Sequence, residues 1–214
     1  MMATTHALVG VALATAVARA APEFAAVALV AAAVGSVFPD FDLYAGHRKT
    51  FHFPVYYSAL AVPAGGLALA LPSAATIALA LFVVGAALHS LMDALGGGLE
   101  VEPWRATSDR AVYDHFRGRW VAPRRWIRYD GAPEDLALAG LLGVPAFVVH
   151  EPPVRTLVVA VLAVSAGYAL LRKPLARLWV RLVGAVPREA RAYVPDRFEE
   201  ATESRARGTR SEAD

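Results

Sequence analysis

The feature that most constrains this chain is how its apolar residues are distributed. They arrive in blocks cut apart by Pro, Gly and Arg clusters, not at the spacing of amphipathic soluble helices. Six blocks can be drawn, at residues 5–21, 24–39, 53–71, 74–95, 136–149 and 156–171. A helix needs about 20 apolar residues, or about 17 at the lower end, to cross a hydrocarbon layer about 30 Å thick. The third and fourth blocks meet that comfortably, and the first pair and last pair are marginal. The blocks are rich in Ala and Leu and lack the two-residue alternation of a barrel wall, which argues against strands. With 57% hydrophobic and only 19% charged residues, a soluble surface is hard to assemble. The expected architecture is all-α, a polytopic membrane bundle of about six transmembrane helices.

Turn signals punctuate the blocks: Ala21-Pro22-Glu23, Pro39-Asp40, Leu71-Pro72-Ser73, Gly96-Gly97-Gly98 and Pro152-Pro153. Pro63 with Gly65-Gly66 predicts a kink inside the third helix. If the helices alternate in direction, the turns at 19–23, 71–73 and 150–155 share one side and hold only Arg19 and Arg155. The other side holds the remaining nineteen of twenty-one basic residues. The positive-inside rule then puts both termini in the cytoplasm, and the expected location is the cell's inner, cytoplasmic membrane. Ala18-Arg19-Ala20 has the small-x-small form of a signal cleavage site, but Met1–His6 carries no Lys or Arg, so the first segment is read as retained.

Residues 1–172 read as one membrane domain. Within it, 99–133 interleaves seven Arg with Trp104, Tyr113, Phe116, Trp120, Trp126 and Tyr129, a composition suited to a collar at headgroup level. Residues 173–214 read as a basic cytoplasmic tail, disordered towards its end. The net charge of +2 and pI near 9.1 admit a nucleic-acid partner, but the basic residues flank apolar blocks. The phospholipid bilayer is the favoured partner, with a phosphate-containing substrate, over nucleic acid.

The chain has no Cys, so a metal would have to be held by His, Asp and Glu. The alternating topology brings His6, Asp40, Asp42, His47, His52, His89 and Asp93 to one side of the bundle. His89-x-x-x-Asp93 puts imidazole and carboxylate one turn apart on one helix face. Taken singly, these are ordinary features. Pro-Asp-x-Asp is more often a turn, His89 with Asp93 can be a mutually satisfied pair, and His47-Arg48-Lys49 with His52 can be a basic anchor. Together they exceed what one structural tetrahedral site requires and suit a divalent ion, zinc by its donor set, in one or two copies. Glu134-Asp135 at the start of the fifth helix reads as capping before metal binding, and His150 as interfacial on the far side.

Thr5-His6 with Gly10, the Gly-x-x-x-Pro-Asp-x-Asp run ending at Asp42, His47-Arg48 with His52, and His89-x-x-x-Asp93 resemble the YdjM-like family. Its members are described as membrane-bound metal-dependent hydrolases, also as LexA-binding, inner-membrane-associated hydrolases, and are distantly similar to zinc-dependent phospholipase C and fungal single-strand nucleases. The likeness covers residues 1–95, more weakly 131–138. It implies that Asp40, His52, His89 and Asp93 form one metal site and that His6 shares Asp93 with a second ion. Asp42 and His47 would be alternative or supporting groups. Phe51 and Phe53 flank His52 where the family more often has Thr and Ser, and the Trp at the N-terminus of the secreted relatives is missing.

The function so implied is hydrolysis of a phosphate ester of a lipid or other anionic membrane-associated molecule. Asp93 and Arg48 would be the catalytic pair, Arg48 stabilising charge that develops on phosphorus. The alternative is a non-catalytic metal-binding scaffold or a transporter. Transport is disfavoured because the middles of helices 1, 2, 3, 5 and 6 carry no ionisable residue.

Overall fold

The computed structural model describes residues 1–187. They form six helices: α1 (Ala3–Ala20), α2 (Ala25–Val37), α3 (Pro54–Ala70), α4 (Ala74–Leu95), α5 (Pro133–Val149) and α6 (Pro152–Ala185). A small antiparallel hairpin, β1 (Val112–Asp114) with β2 (Arg119–Val121), lies between α4 and α5. Each helix falls on one apolar block, and the protein is an all-α membrane protein. Residues 188–214, and with them the disorder expected towards the end of the tail, lie outside the described residues.

Helix lengths depart from the expectation. Among the described residues, four segments are long and apolar enough to cross a bilayer: Ala3–Ala20, Pro22–Asp42, Ala74–Leu95 and Pro152–Ala185. The third block, expected to be comfortable, yields a 17-residue helix, because Pro54 fixes its start and Leu71-Pro72 ends it. The sixth, expected to be short, yields 34 residues, about 51 Å at 1.5 Å per residue. It runs on through Arg172-Lys173-Pro174. Arg172 is held by Asp130 and by the Val101 carbonyl, and Ala176 and Val180 pack with Val101 beside Trp104. Those tertiary contacts override the local stop signal.

The helices touch in the spatial order α3, α4, α2, α1, α5, α6. On one side of α1, Leu8 and Val11 pack with Ala139, Ala146 and Val158. On the other, Ala14 packs with Ala28, Ala32, Ile77 and Leu81. Small residues set the spacing of this inner layer. A Cβ on Gly10 would lie 2.5 Å from the Ala32 carbonyl oxygen, and one on Gly85 2.7 Å from the Ser36 nitrogen. Close backbone approach of this kind is how membrane helices gain contact where the surroundings are as apolar as the side chains. It also decides what the end of α2 can reach on α4.

Candidate metal centre

Three local structures converge at one end of the bundle. α2 gives way to a tight 3-10 turn, Phe38–Asp42, with Pro39 in its first turn. At three residues per turn, positions two apart point in different directions. Asp40 therefore turns towards α4, its carboxylate 3.5 Å from His89 Nε2. Asp42 turns back into the loop that follows. There its oxygens accept from the backbone nitrogens of Arg48, Lys49 and Phe51 and from His47 Nδ1 at 3.1 Å and His52 Nδ1 at 2.9 Å. This carboxylate, fully buried, shapes the 43–52 loop and aims His52.

On α4, His89 and Asp93 share a face as their spacing predicts, with Nε2 3.4 Å from Oδ2. His89 Nδ1 lies 2.7 Å from the carbonyl oxygen of Ser36, a group within reach because Gly85 lets α2 and α4 close up. A carbonyl only accepts, so Nδ1 carries the proton. Nε2 then either holds a second proton or presents a lone pair. The same holds for His52, whose Nδ1 faces the Asp42 carboxylate. The two Nε2 atoms are 3.2 Å apart, and Asp93 Oδ2 is 3.2 Å from that of His52.

Asp40, His52, His89 and Asp93 thus offer four ligand atoms within 4.8 Å of one another, a cluster that could hold a metal ion. His6 stacks on His89 with ring centroids 3.7 Å apart, and its Nε2 is 3.4 Å from Asp93 Oδ1. Both His6 nitrogens are buried without a hydrogen-bond partner. Two inward Nε2 atoms among carboxylates, beside an unpartnered imidazole, are a nitrogen and oxygen donor set of the kind that divalent ions such as zinc accept.

Arg48 adds a fixed charge. Its backbone takes the left-handed region at φ 59°, which turns its side chain inward. The guanidinium Nε sits 3.4 Å from Asp93 Oδ2, and one terminal nitrogen donates to the Gly97 carbonyl at 2.8 Å. The hairpin buttresses this loop from behind, Tyr113 N donating to the Arg48 carbonyl at 2.9 Å. Burial pushes the His52 imidazole towards its neutral form, but its bonds to Asp42 and Asp93 outweigh this and hold its pKa above the ordinary value. His47 moves the other way. Burial lowers it more than its bond to Asp42 raises it, with the charge of Arg48 adding to the drop.

Of the seven metal candidates read from the sequence, the structure brings Asp40, His52, His89 and Asp93 together, with His6 against them. It places Asp42 and His47 one layer back. Asp135 is a buried anchor: it accepts from Gly131 N and Met2 N and from Thr5 Oγ1 at 2.7 Å, tying the start of α5 to the start of α1. Glu134 pairs with Arg128 instead. His150, expected at an interface, is buried at the other end of the bundle, 3.0 Å from Thr15 Oγ1. Two participants were missed, the Met1 amino nitrogen, 3.1 Å from Asp93 Oδ1, and the Gly97 carbonyl that pins Arg48. Main-chain groups carry no side-chain signal that could have announced them.

Comparison with curated proteins returns no match, and comparison with solved structures returns none. Against family descriptions, residues 1–180 match the one described as YdjM inner membrane protein, a match that runs well past the motif-bearing first 95 residues. With most of its length so matched and the motif residues gathered at one end of a membrane bundle, the chain belongs to the YdjM inner membrane protein family.

Proposed function

We propose that this protein is a membrane-bound, metal-dependent hydrolase of phosphate esters, acting at the cytoplasmic face with both termini on that side. The observation that carries the reading is the pair of buried Nε2 atoms 3.2 Å apart among carboxylates, each ring oriented by a bond at its other nitrogen. Asp40, His52, His89 and Asp93 would hold one divalent ion, zinc by the donor set, and His6 with Asp93 a second. An ion held there would supply polarisation of a phosphoryl oxygen and acidify water. Asp42 keeps His52 in the tautomer whose Nε2 faces inward. His47 supports Asp42.

Arg48 is held beside Asp93 and also lines the adjoining cavity, where its charge can meet the phosphate as negative charge builds. In the reaction a water oxygen bonds to phosphorus, the ester oxygen leaves, and the alcohol so formed takes a proton from that water. The test is elemental analysis of detergent-purified protein together with ester hydrolysis after metal removal and restoration. Wild type should carry stoichiometric metal and hydrolyse only when loaded, and a His89→Ala, Asp93→Ala double variant should do neither. Metal-independent hydrolysis would overturn the mechanism. Stoichiometric metal without turnover would leave a scaffold.

A further inference from the structure

A cavity of about 470 Å³ adjoins the cluster, within the range of about 300–1,000 Å³ usual for ligand sites. Asp40, His47 and Arg48 line it from the cluster's side. A stripe of α6 lines it as well, including Val164, Tyr168, Arg172 and Leu175, spaced three or four residues apart and therefore on one helix face. The wall is not sealed. Val164 is 61% exposed and Ala3, which lines the cavity from the start of α1, is exposed as well. Of the most apolar stretch of α6 only 11% is buried within the protein. A helix so apolar and so little covered has hydrocarbon for its surroundings. The cavity is thus charged where it meets the cluster and where the Arg172–Asp130 pair lines it, and its apolar wall at Val164 and Ala3 opens to the bilayer.

We infer, building on the hydrolase reading above, that this cavity takes the phosphate ester of a lipid. The phosphate lies at Arg48, beside the ion that Asp40 would help to hold, and one alkyl or acyl chain leaves past Val164 into the membrane. A soluble phosphate ester would use the charged end and leave the apolar wall idle. A lipid uses both, and reaches the cluster sideways without leaving the bilayer. Val164 and Ala3 are then the residues that set chain preference.

The experiment uses the full chain in lipid nanodiscs, loaded with zinc, and a series of alkyl p-nitrophenyl phosphates with butyl, octyl and dodecyl chains. The leaving group is the same throughout, and partition into the disc is the same for every protein variant. Val164→Trp, a substitution at an exposed position, narrows the apolar wall. We expect the ratio of wild-type to variant kcat/KM to be about 1 for butyl and at least about 10 for dodecyl, since each buried methylene contributes about a fourfold preference at most. A ratio that stays flat along the series overturns the proposal.

Binding of dodecyl- and butylphosphonate, read by thermal shift, gives a second measurement that needs no turnover. Tighter binding of the dodecyl compound, lost in Val164→Trp, with no ester hydrolysed, would uphold the lipid site and overturn the hydrolase reading. Equal binding of the two phosphonates by wild type would overturn the lipid site while leaving hydrolysis untouched.

Discussion

Two buried histidines, His89 and His150, sit towards opposite ends of the same bundle, and their neighbours differ in kind. His150 is 8% exposed and faces the hydroxyl of Thr15, which gives its proton to the Val11 carbonyl and can accept from the ring nitrogen, so the contact is satisfied as it stands. His89 is 1% exposed, and one nitrogen is committed to a carbonyl. The other faces Asp40, Asp93 and a second imidazole, none of which donates when His52 is neutral and oriented by Asp42. Burial alone therefore does not make a histidine a candidate ligand. What marks His89 is a surplus of acceptors that only protons or a metal ion can settle.

The contrast is easiest to break at Asp93. Asp93→Asn keeps the shape of the side chain but removes the anion that faces three imidazoles and Arg48. Metal content measured by elemental analysis should collapse, and hydrolysis with it, by more than the roughly 10–100-fold that loss of a supporting partner costs. Retained metal and activity would mean the cluster is as self-contained as the His150 pair. Asp42→Asn tests the layer behind. Because Asp42 orients His52 without facing the cluster, zinc affinity, measured by competition with a chelator, should fall by about 10–100-fold while the bundle still assembles.

Acidity sharpens the comparison in a different way. In metal-free protein His52 is raised above 6.5, so its stabilisation is full below that value and is lost as pH climbs through the raised one. His47 is lowered, so its contribution is full above 6.5 and is lost as pH falls towards the lowered one. The unfolding midpoint in chelator should therefore pass through a maximum near pH 6.5. Replacing His52 by Ala should shrink the alkaline limb. With zinc present the maximum should move up in pH, since the ion competes with the proton on the same nitrogen.

The smallest effect belongs to the other end. Thr15→Val strips His150 of its partner and should destabilise the bundle by about 1–3 kcal/mol in thermal unfolding, with metal content unchanged.

What could be read from the sequence divides along the same line between local and distant chemistry. α4 was legible to its last residue, 74–95, because Leu71-Pro72-Ser73 precedes it and Gly96-Gly97-Gly98 follows it, and in the structure Ser73 and Thr76 cap each other at that start. The cluster was legible as a set because polar residues are scarce in such a chain and alternating helices return to the same side. Which of them come together was given by the family resemblance, which implied Asp40, His52, His89 and Asp93, and not by the spacing. That turns on the direction in which a 3-10 turn throws Asp40 and Asp42, and spacing alone does not fix it. The length of α6 and the partner of His150 were hidden for another reason. Arg172 meets Asp130 from 42 positions away and His150 meets Thr15 from 135, distances over which sequence pattern carries no signal.

The position of these residues along the chain also sets an order of synthesis. Asp40, His52, His89 and Asp93 are all made by residue 93, whereas the carbonyls that restrain Arg48 come from Gly97 and Ala111, and the anchor Asp135 comes later still. At about 5–20 residues per second, residues 94–187 take about 5–20 s to follow. For that interval the imidazoles and carboxylates of α1 to α4 and their loops exist before the groups that later surround them are made. A ribosome-tethered nascent chain of residues 1–95 followed by a linker long enough to clear the exit tunnel should accordingly capture zinc faster than the finished protein, and the cover formed afterwards should slow its escape.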